Sequence, residues 1–366
     1  MPQRARHPVP AARTQRGLTI IELMISVTIG LIIVAAVGYL YMSSRGAYRS
    51  NSNLARIQED GRFGLDAILR DARRVGSIGC NAAATVRSIV NAPYLPLALP
   101  GTGAGGATIY FAGPTTALFG VAPSGYGFPP GPTINFGPLP STGGKTTPPP
   151  WIAGDVLQMV IPTSKPVPLV ADADSVNFTV TLADNTAALQ AGDYLLVSNC
   201  SNATVANVIA TPAVGNGQTV VRLTATALLP VAIAPQMTLA THPSAQRLDA
   251  VTYYVGQFLG RPWPALYRYS ATYRVAEEVI DHVENMSVLY GVGAAPPDFA
   301  SSITPANWPK VTSLRVSLQI VGDEQSTAAA ALPVSLLPGV RPAVTAPDTR
   351  LRQVFTATAA LRNRIP

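Results

Sequence analysis

An apolar stretch from Leu18 to Met42 contains a single charged side chain, Glu22, and any fold for this chain must account for both facts together. The stretch is about 25 residues long, and a helix needs about 20 apolar residues to cross the hydrocarbon core of a bilayer. A carboxylate inside that core costs roughly 2.5–3.5 kcal/mol at the helix centre unless a partner neutralises it. A secretory signal fits badly, because the run exceeds an h-region of about 7–15 residues and no A-x-A-like site follows it. A plain single-span anchor is the other alternative, with Glu22 held near the interface.

Ahead of the stretch lie Arg4, Arg6, Arg13 and Arg16 and no acid, a bias that holds the N-terminus in the cytoplasm and sends the rest outward. Cleavage after Gly17 would create an ammonium at Leu18, and a helical rise of 1.5 Å per residue places Glu22 about 6 Å further along. In a packed assembly the amine of one subunit can meet Glu22 of a neighbour, so that an unpaired charge becomes an ion pair. Ser26, Gly30 and Gly38 thin the helix surface at spacings that allow close contact in lipid.

Arg16-Gly17-Leu18-Thr19-Ile20-Ile21-Glu22-Leu23 resembles the class III signal of type IV prepilins and of type II secretion pseudopilins. The resemblance implies a prepilin peptidase cutting between Gly17 and Leu18, N-methylation of Leu18, and a subunit-docking role for Glu22. Leu18 stands where the family more often has Phe.

The net charge of +7 invites a nucleic-acid reading, but four of the seven are leader arginines, so the chain from Leu18 carries only +3. Its basic residues form no stripe with stacking aromatics, and no specific nucleic-acid binding is expected. Arg341, Arg350, Arg352, Arg362 and Arg364, near the C-terminus, are read as solvent-facing positions of a terminal strand. Cys80 and Cys200 both fall on the exported side, where a disulfide persists, and a bridge between them is expected. Closing a loop of about 120 residues would contribute on the order of 5 kcal/mol in the chain-entropy account.

Leu54, Ile57, Gly61, Leu65, Ile68, Ala72 and Val75 recur at three- and four-residue steps, which predicts an amphipathic helix continuing the membrane span. Arg56, Glu59, Arg62, Asp66, Arg70, Asp71, Arg73 and Arg74 fall mostly off that stripe and are read as a solvated face. Gly76 and Gly79 end the pattern. Residues 88–144 contain no Asp, Glu, Lys or Arg and are dense in Gly, Pro and aromatics, so part of this loop-rich insertion must be buried by the protein or by a neighbour. A strand-like run, Ala107 to Ala112, follows its glycines, and the spacing is not that of a dinucleotide fingerprint.

Beyond Trp151 come β-type runs at Val156 to Ile161, Val176 to Leu182, Tyr194 to Val197, Thr219 to Leu223, Ala250 to Val255, Ala265 to Tyr269, Leu314 to Val321 and Val354 to Leu361, separated by Pro and Gly. Several segments resemble the PilW family of minor pilins. They are Glu59 through Asp66, Arg70-Asp71, Arg74-Val75-Gly76 and Gly79-Cys80 in the stem, then Gly192-Asp193 and Val197 to Cys200. Val283-Glu284-Asn285, Tyr290-Gly291, Trp308 with Val311, and Val354 to Arg364 complete the resemblance.

It implies a pilin that helps initiate a type IV pilus at or near its tip, with other minor pilins, the major pilin and the inner-membrane assembly platform as partners. The J-type minor pseudopilin of type II secretion and a membrane-anchored adhesin are the alternatives.

An enzyme has little support. No G-x-S-x-G elbow, Walker loop or H-E-x-x-H occurs, and no catalytic, cofactor or metal residues are assigned. The best local cluster is Glu277, Glu278, Asp281, His282 and Glu284. On a helix Glu278 and His282 would share a face, whereas Asp281 and His282 would point apart. The preferred reading is a polar face opposite Val275, Val279, Val283 and Met286.

The expectation is an α+β, type IV pilin-like fold, with a long N-terminal helical stem, half of it transmembrane, and a C-terminal antiparallel β-rich head. Its parts are a leader at 1–17, a membrane half of the helix at 18–42, an amphipathic half at 43–79, the uncharged insertion at 80–150 and the head at 151–366. The expected location is the inner membrane, single-pass with the head periplasmic, and then a surface pilus.

Overall fold

The structure, a computed structural model, describes residues 19–75, 85–88, 119–121, 149, 151–174, 176–199, 202–223, 237–258, 260–270, 272–273, 275–293, 297–300, 311–323, 333–334, 344–345 and 348–361. Gly17, Leu18, Cys80, Cys200, the run at Ala107 to Ala112, Trp308, Arg341, Arg362 and Arg364 lie outside these residues. The chain divides into two compact units, Met1–Asn53 and Leu54–Pro366.

One helix, α1 (Ile20–Arg74), runs through the first unit and into the second, with Arg73 and Arg74 in its last turn, where cations suit the helix dipole. The strands follow in order: β1 (Thr85–Ser88), β2 (Phe119–Val121), β3 (Trp151–Pro162), β4 (Val167–Pro168), β5 (Thr179–Leu182) and β6 (Tyr194–Ser198). Next come β7 (Asn202–Asn207), β8 (Ala213–Gly215), β9 (Gln218–Arg222), β10 (Ser244–Gly256), β11 (Ala265–Ser270) and β12 (Val275–Asp281). The last are β13 (Val283–Val292), β14 (Asp298–Ala300), β15 (Val311–Val321), β16 (Pro333–Val334), β17 (Val344–Thr345) and β18 (Arg352–Ala360).

A nine-stranded sheet is built around β10, in the order β1-β7-β6-β10-β11-β12, with β3 and β4 also on β10 and β2 on β3. All its pairs are antiparallel except β1 with β7. Thus β1 and β2, both within 80–150, are strands of the head's sheet. The second main sheet is antiparallel, in the order β14-β13-β15-β18, and β5-β9-β8 and β16-β17 form two smaller ones.

The two main sheets share one core with α1. Ile57, Leu65, Ile68, Ala72 and Val75 are buried with Tyr253 and Tyr267 of the first sheet and Met286, Leu314 and Leu318 of the second. This is the predicted stripe, except that Leu54 is 37% exposed. Two glycines set how closely the helix lies. A Cβ at Gly61 would fall within the Phe355 ring of β18, and one at Gly64 would stand 2.5 Å from Ile280 of β12. A smaller core of Val180, Leu182, Leu195, Val197, Ala206 and Val221 lies among β5, β6, β7 and β9.

The solvated-face reading of the stem fails at Asp71. This side chain is buried, accepting hydrogen bonds from the Tyr253 hydroxyl at 2.8 Å and from Nε of Arg268 at 2.9 Å. Burial and the adjacent Asp71 charge drive the Tyr253 hydroxyl's pKa far up, so the tyrosine remains a donor. The clamp fixes the rotation and register of the last helical turns on β10 and β11.

The strand expected from Val176 begins only at Thr179. Asp174 caps a turn there, its Oδ1 accepting from the Val176 and Asn177 backbone N–H groups, and Phe178 has φ of 53°.

Replacing Gly61 by Val should cost about 1–3 kcal/mol through overpacking against Phe355, with Gly61→Ala losing less. Thermal unfolding of the detergent-solubilised full chain checks this, and an unchanged midpoint for Gly61→Val would show that the helix does not lie so close.

Candidate assembly site

The helix start is written in its own side chains. The Thr19 carbonyl accepts the Leu23 N–H at 3.1 Å, and the Thr19 hydroxyl accepts the Glu22 N–H at 3.3 Å. The Thr19 hydroxyl thus caps the helix, and Glu22 stands in its first turn, where the dipole favours an anion. The Ser26 hydroxyl donates to the Glu22 carbonyl at 2.7 Å and the Thr28 hydroxyl to the Ile25 carbonyl at 2.8 Å. These polar side chains are satisfied inside the helix, as an apolar surrounding requires.

Glu22 is exposed, and so is every large apolar residue from Ile20 to Met42, between 53% at Ile25 and 78% at Ile20. The helix is long and apolar enough here to cross a membrane.

In the second unit a charged corner joins α1 to both main sheets. His282 turns β12 into β13 with φ of 59° and is buried. Its Nδ1 lies 3.1 Å from Asp281, its Nε2 faces Asp323, and Arg56 of α1 reaches Asp323 at 2.5 Å and Asp281 at 3.0 Å. Trp263 stacks on the imidazole at 4.9 Å between ring centroids, and the Arg350 guanidinium lies 4.3 Å over Trp263. Burial alone would raise the Asp281 carboxyl, but hydrogen bonds and charge from His282 and Arg56 hold it below the ordinary carboxylate range.

Nearby, Arg352 grips Glu284 through two bonds of 2.7 and 2.8 Å and meets Asp348 at 2.5 Å. Its side chain is 3% exposed. Burial alone would lower its pKa, but the two carboxylates drive it up, and the hydrogen bond from Arg352 lowers that of Asp348.

Two sequence expectations are corrected here. Glu277, Glu278, Asp281, His282 and Glu284 lie on β12, the corner and β13, not on a helix, because Val275, Ile280 and Val283 find ladder partners on β11 and β15. Glu278 is held by Arg261 and the Tyr267 hydroxyl, away from His282, while Asp281 and His282 converge instead of pointing apart. Burial and Glu278 push the Tyr267 hydroxyl up to about 12.

Secondly, Arg350 and Arg352 are not solvent-facing. Among the described residues no group of three or more His, Cys, Asp or Glu could hold a metal ion. Arg56, read from the sequence as part of a solvated face, is instead tied to Asp281 and Asp323, and Asp323 escaped sequence reasoning because its partners stand far away in the chain.

Residues 12–38 match the family described as the prokaryotic N-terminal methylation motif, and residues 252–363 match the one described as Type IV Pilus-assembly protein W. Over these two stretches the chain resembles PilW-type pilins. No curated protein matches it significantly. A type IV-like pilin from Thermus thermophilus is a structural neighbour with a TM-score of 0.21 and 14% identity, over 48% of this chain and 87% of that one.

The PilW match takes in Asp281, His282, Asp323, the Arg352 clamp and the second main sheet, whereas Arg56, Asp71 and the strands β4 to β9 fall outside both matches. The methylation motif implies processing by a prepilin peptidase and assembly with other pilins.

A depressed folded-state carboxyl stabilises a fold above its unfolded pKa, and the gain disappears as pH falls through the folded value. Asp281→Asn should therefore lower the unfolding midpoint by a few degrees at pH 7, and the gap from the parent should close below about pH 4. Thermal scans of the full chain in detergent at pH 7 and pH 3 check both the sign and the window.

Proposed function

We propose that this chain is a non-enzymatic minor pilin, inserted in the inner membrane with its head periplasmic and then drawn into a type IV pilus. A prepilin peptidase cuts between Gly17 and Leu18, Leu18 is N-methylated, and the new amine of one subunit pairs with Glu22 of the next. Incorporation near the tip, beside other minor pilins and above the major pilin, follows from its taking part in initiation on the assembly platform. Cys80 and Cys200 form a disulfide in the exported head.

The observation that carries this reading is the exposed apolar helix whose first turn holds Glu22 within a Thr19 cap. A soluble subunit would have to cover that surface, and a lone anchor would not put its one acid beside the processing motif. Lipid covers the helix before assembly and neighbouring helices cover it afterwards, while the docked amine neutralises the acid.

Gly17→Trp should leave an uncut precursor on a blot, and normal processing of that variant would contradict the cleavage site. Glu22→Val should be processed normally yet be missing from sheared pili. Incorporation at the parental level would overturn the docking role. Deleting the gene should remove surface pili, whereas loss of exoprotein secretion with pili intact would point instead to a type II secretion pseudopilin. If both thiols in the unreduced native chain react with a maleimide, the disulfide is absent.

A further inference from the structure

The apolar run of α1 ends in tyrosines and arginines. Tyr39 and Tyr41 close it, and Arg45, Tyr48 and Arg49 follow within two turns, all of them in the first unit. Every one is exposed, Tyr41 at 66% and Tyr48 at 75%. Tyr41, Arg45 and Tyr48 are spaced by four and three residues and share one face of the helix, and Arg49 stands one turn beyond Arg45.

The charge here is one-sided. Between Glu22 and Glu59 the chain has no acid, and its bases are Arg45, Arg49 and Arg56, the last of them held by Asp281 and Asp323. Arginines on the exported side of a span run against the orientation bias, which the four leader arginines outweigh in the precursor. A chain that starts at Leu18 has no basic side chain before Arg45.

The depth suits a headgroup. Arg45 is 23 residues beyond Glu22, about 35 Å along a helix rising 1.5 Å per residue. The hydrocarbon core is about 30 Å thick, and the headgroup layers add roughly 10–15 Å in all. With Glu22 just inside one boundary, Arg45 falls in the opposite headgroup layer, and Tyr41 lies one turn deeper, where amphipathic rings settle.

We infer that Tyr41, Arg45, Tyr48 and Arg49 clamp the phosphate headgroup of an anionic phospholipid in the leaflet from which the helix leaves the membrane. The inference rests on the membrane span of the reading above and goes beyond it, since the stem then selects a lipid by charge and must release it on entering a fibre. A guanidinium fork matches phosphate oxygens in two parallel bonds, and the tyrosine hydroxyls are further donors. A zwitterionic headgroup is the wrong occupant, because its ammonium meets two arginines and no acid. The face is continuous with the exposed apolar surface that lipid covers, so the phosphate comes from a lipid and not from free solution.

In the test, the full chain in an uncharged detergent is titrated with phosphatidylglycerol or with phosphatidylcholine of the same acyl chains, and bound lipids are counted by native mass spectrometry. The expected result is a preference of about tenfold or more for phosphatidylglycerol. One arginine near an anionic surface is worth about fivefold. Arg45→Gln should therefore lower the preference by about that factor, and Arg45→Gln with Arg49→Gln should remove it. Arg45→Lys, which keeps the charge, should retain most of it, and Arg62→Gln, seventeen residues further along the chain, should retain all of it.

Equal binding of the two lipids, or a preference indifferent to the double substitution, overturns the inference and leaves the pilin reading intact, because that reading stands on the cut after Gly17. Displacement of the lipid by inorganic phosphate at equal concentration overturns the lipid as the source of the phosphate. A chain that leaves the membrane fraction without detergent overturns both the clamp and the span.

Discussion

Ile68 and Ala72 of α1 have no exposed surface, and the two main sheets meet across them. Neither sheet could bury its inner face without that helix. The first presents Val251, Tyr253 and Leu266 and the second Met286, Leu314 and Leu318, large side chains that need an apolar partner layer. Gly61 and Gly64 let the helix approach closely enough to supply it. The Asp71 clamp and the Arg56 corner then fix the register, because a buried carboxylate tolerates few alternative positions for its partners. The apolar term thus decides that the helix docks, and the charged contacts decide where along its axis.

The first half of α1 answers to another solvent. There the backbone bonds are internal, the hydroxyls of Ser26 and Thr28 turn back onto the helix, and the apolar side chains point outward. One continuous element therefore carries two patterns, all-round apolarity up to Met42 and a single buried stripe from Ile57 onward. The acid inside the apolar part stands where a capping threonine and the helix dipole make it least unfavourable.

Much of this was legible from residues alone. The stripe from Ile57 to Val75 showed because helix burial leaves a local three-and-four spacing, and runs such as Ala265 to Tyr269 and Leu314 to Val321 showed because β-branched and aromatic residues cluster between Pro and Gly. The strands β12 and β13 did not show. Glu277, Glu278 and Asp281 break the alternation on an edge strand, and a four-residue step from Glu278 to His282 suits a helix as well. The burial of Arg352 and Asp71 was illegible for another reason. Each also has a partner more than 60 positions distant, Glu284 for Arg352 and Arg268 for Asp71, and no local pattern records such a contact.

The shared core has a mechanical consequence. A lengthwise pull on the docked segment from Ile57 to Val75 would slide a helix beneath two sheets. Such sliding would have to strip Ile68 and Ala72 from their pockets and tear Asp71 from Arg268 and Tyr253 together rather than in succession. A subunit loaded this way resists in shear, through many contacts at once, and its rupture force is set by the docked helix instead of by the ladder of any one strand.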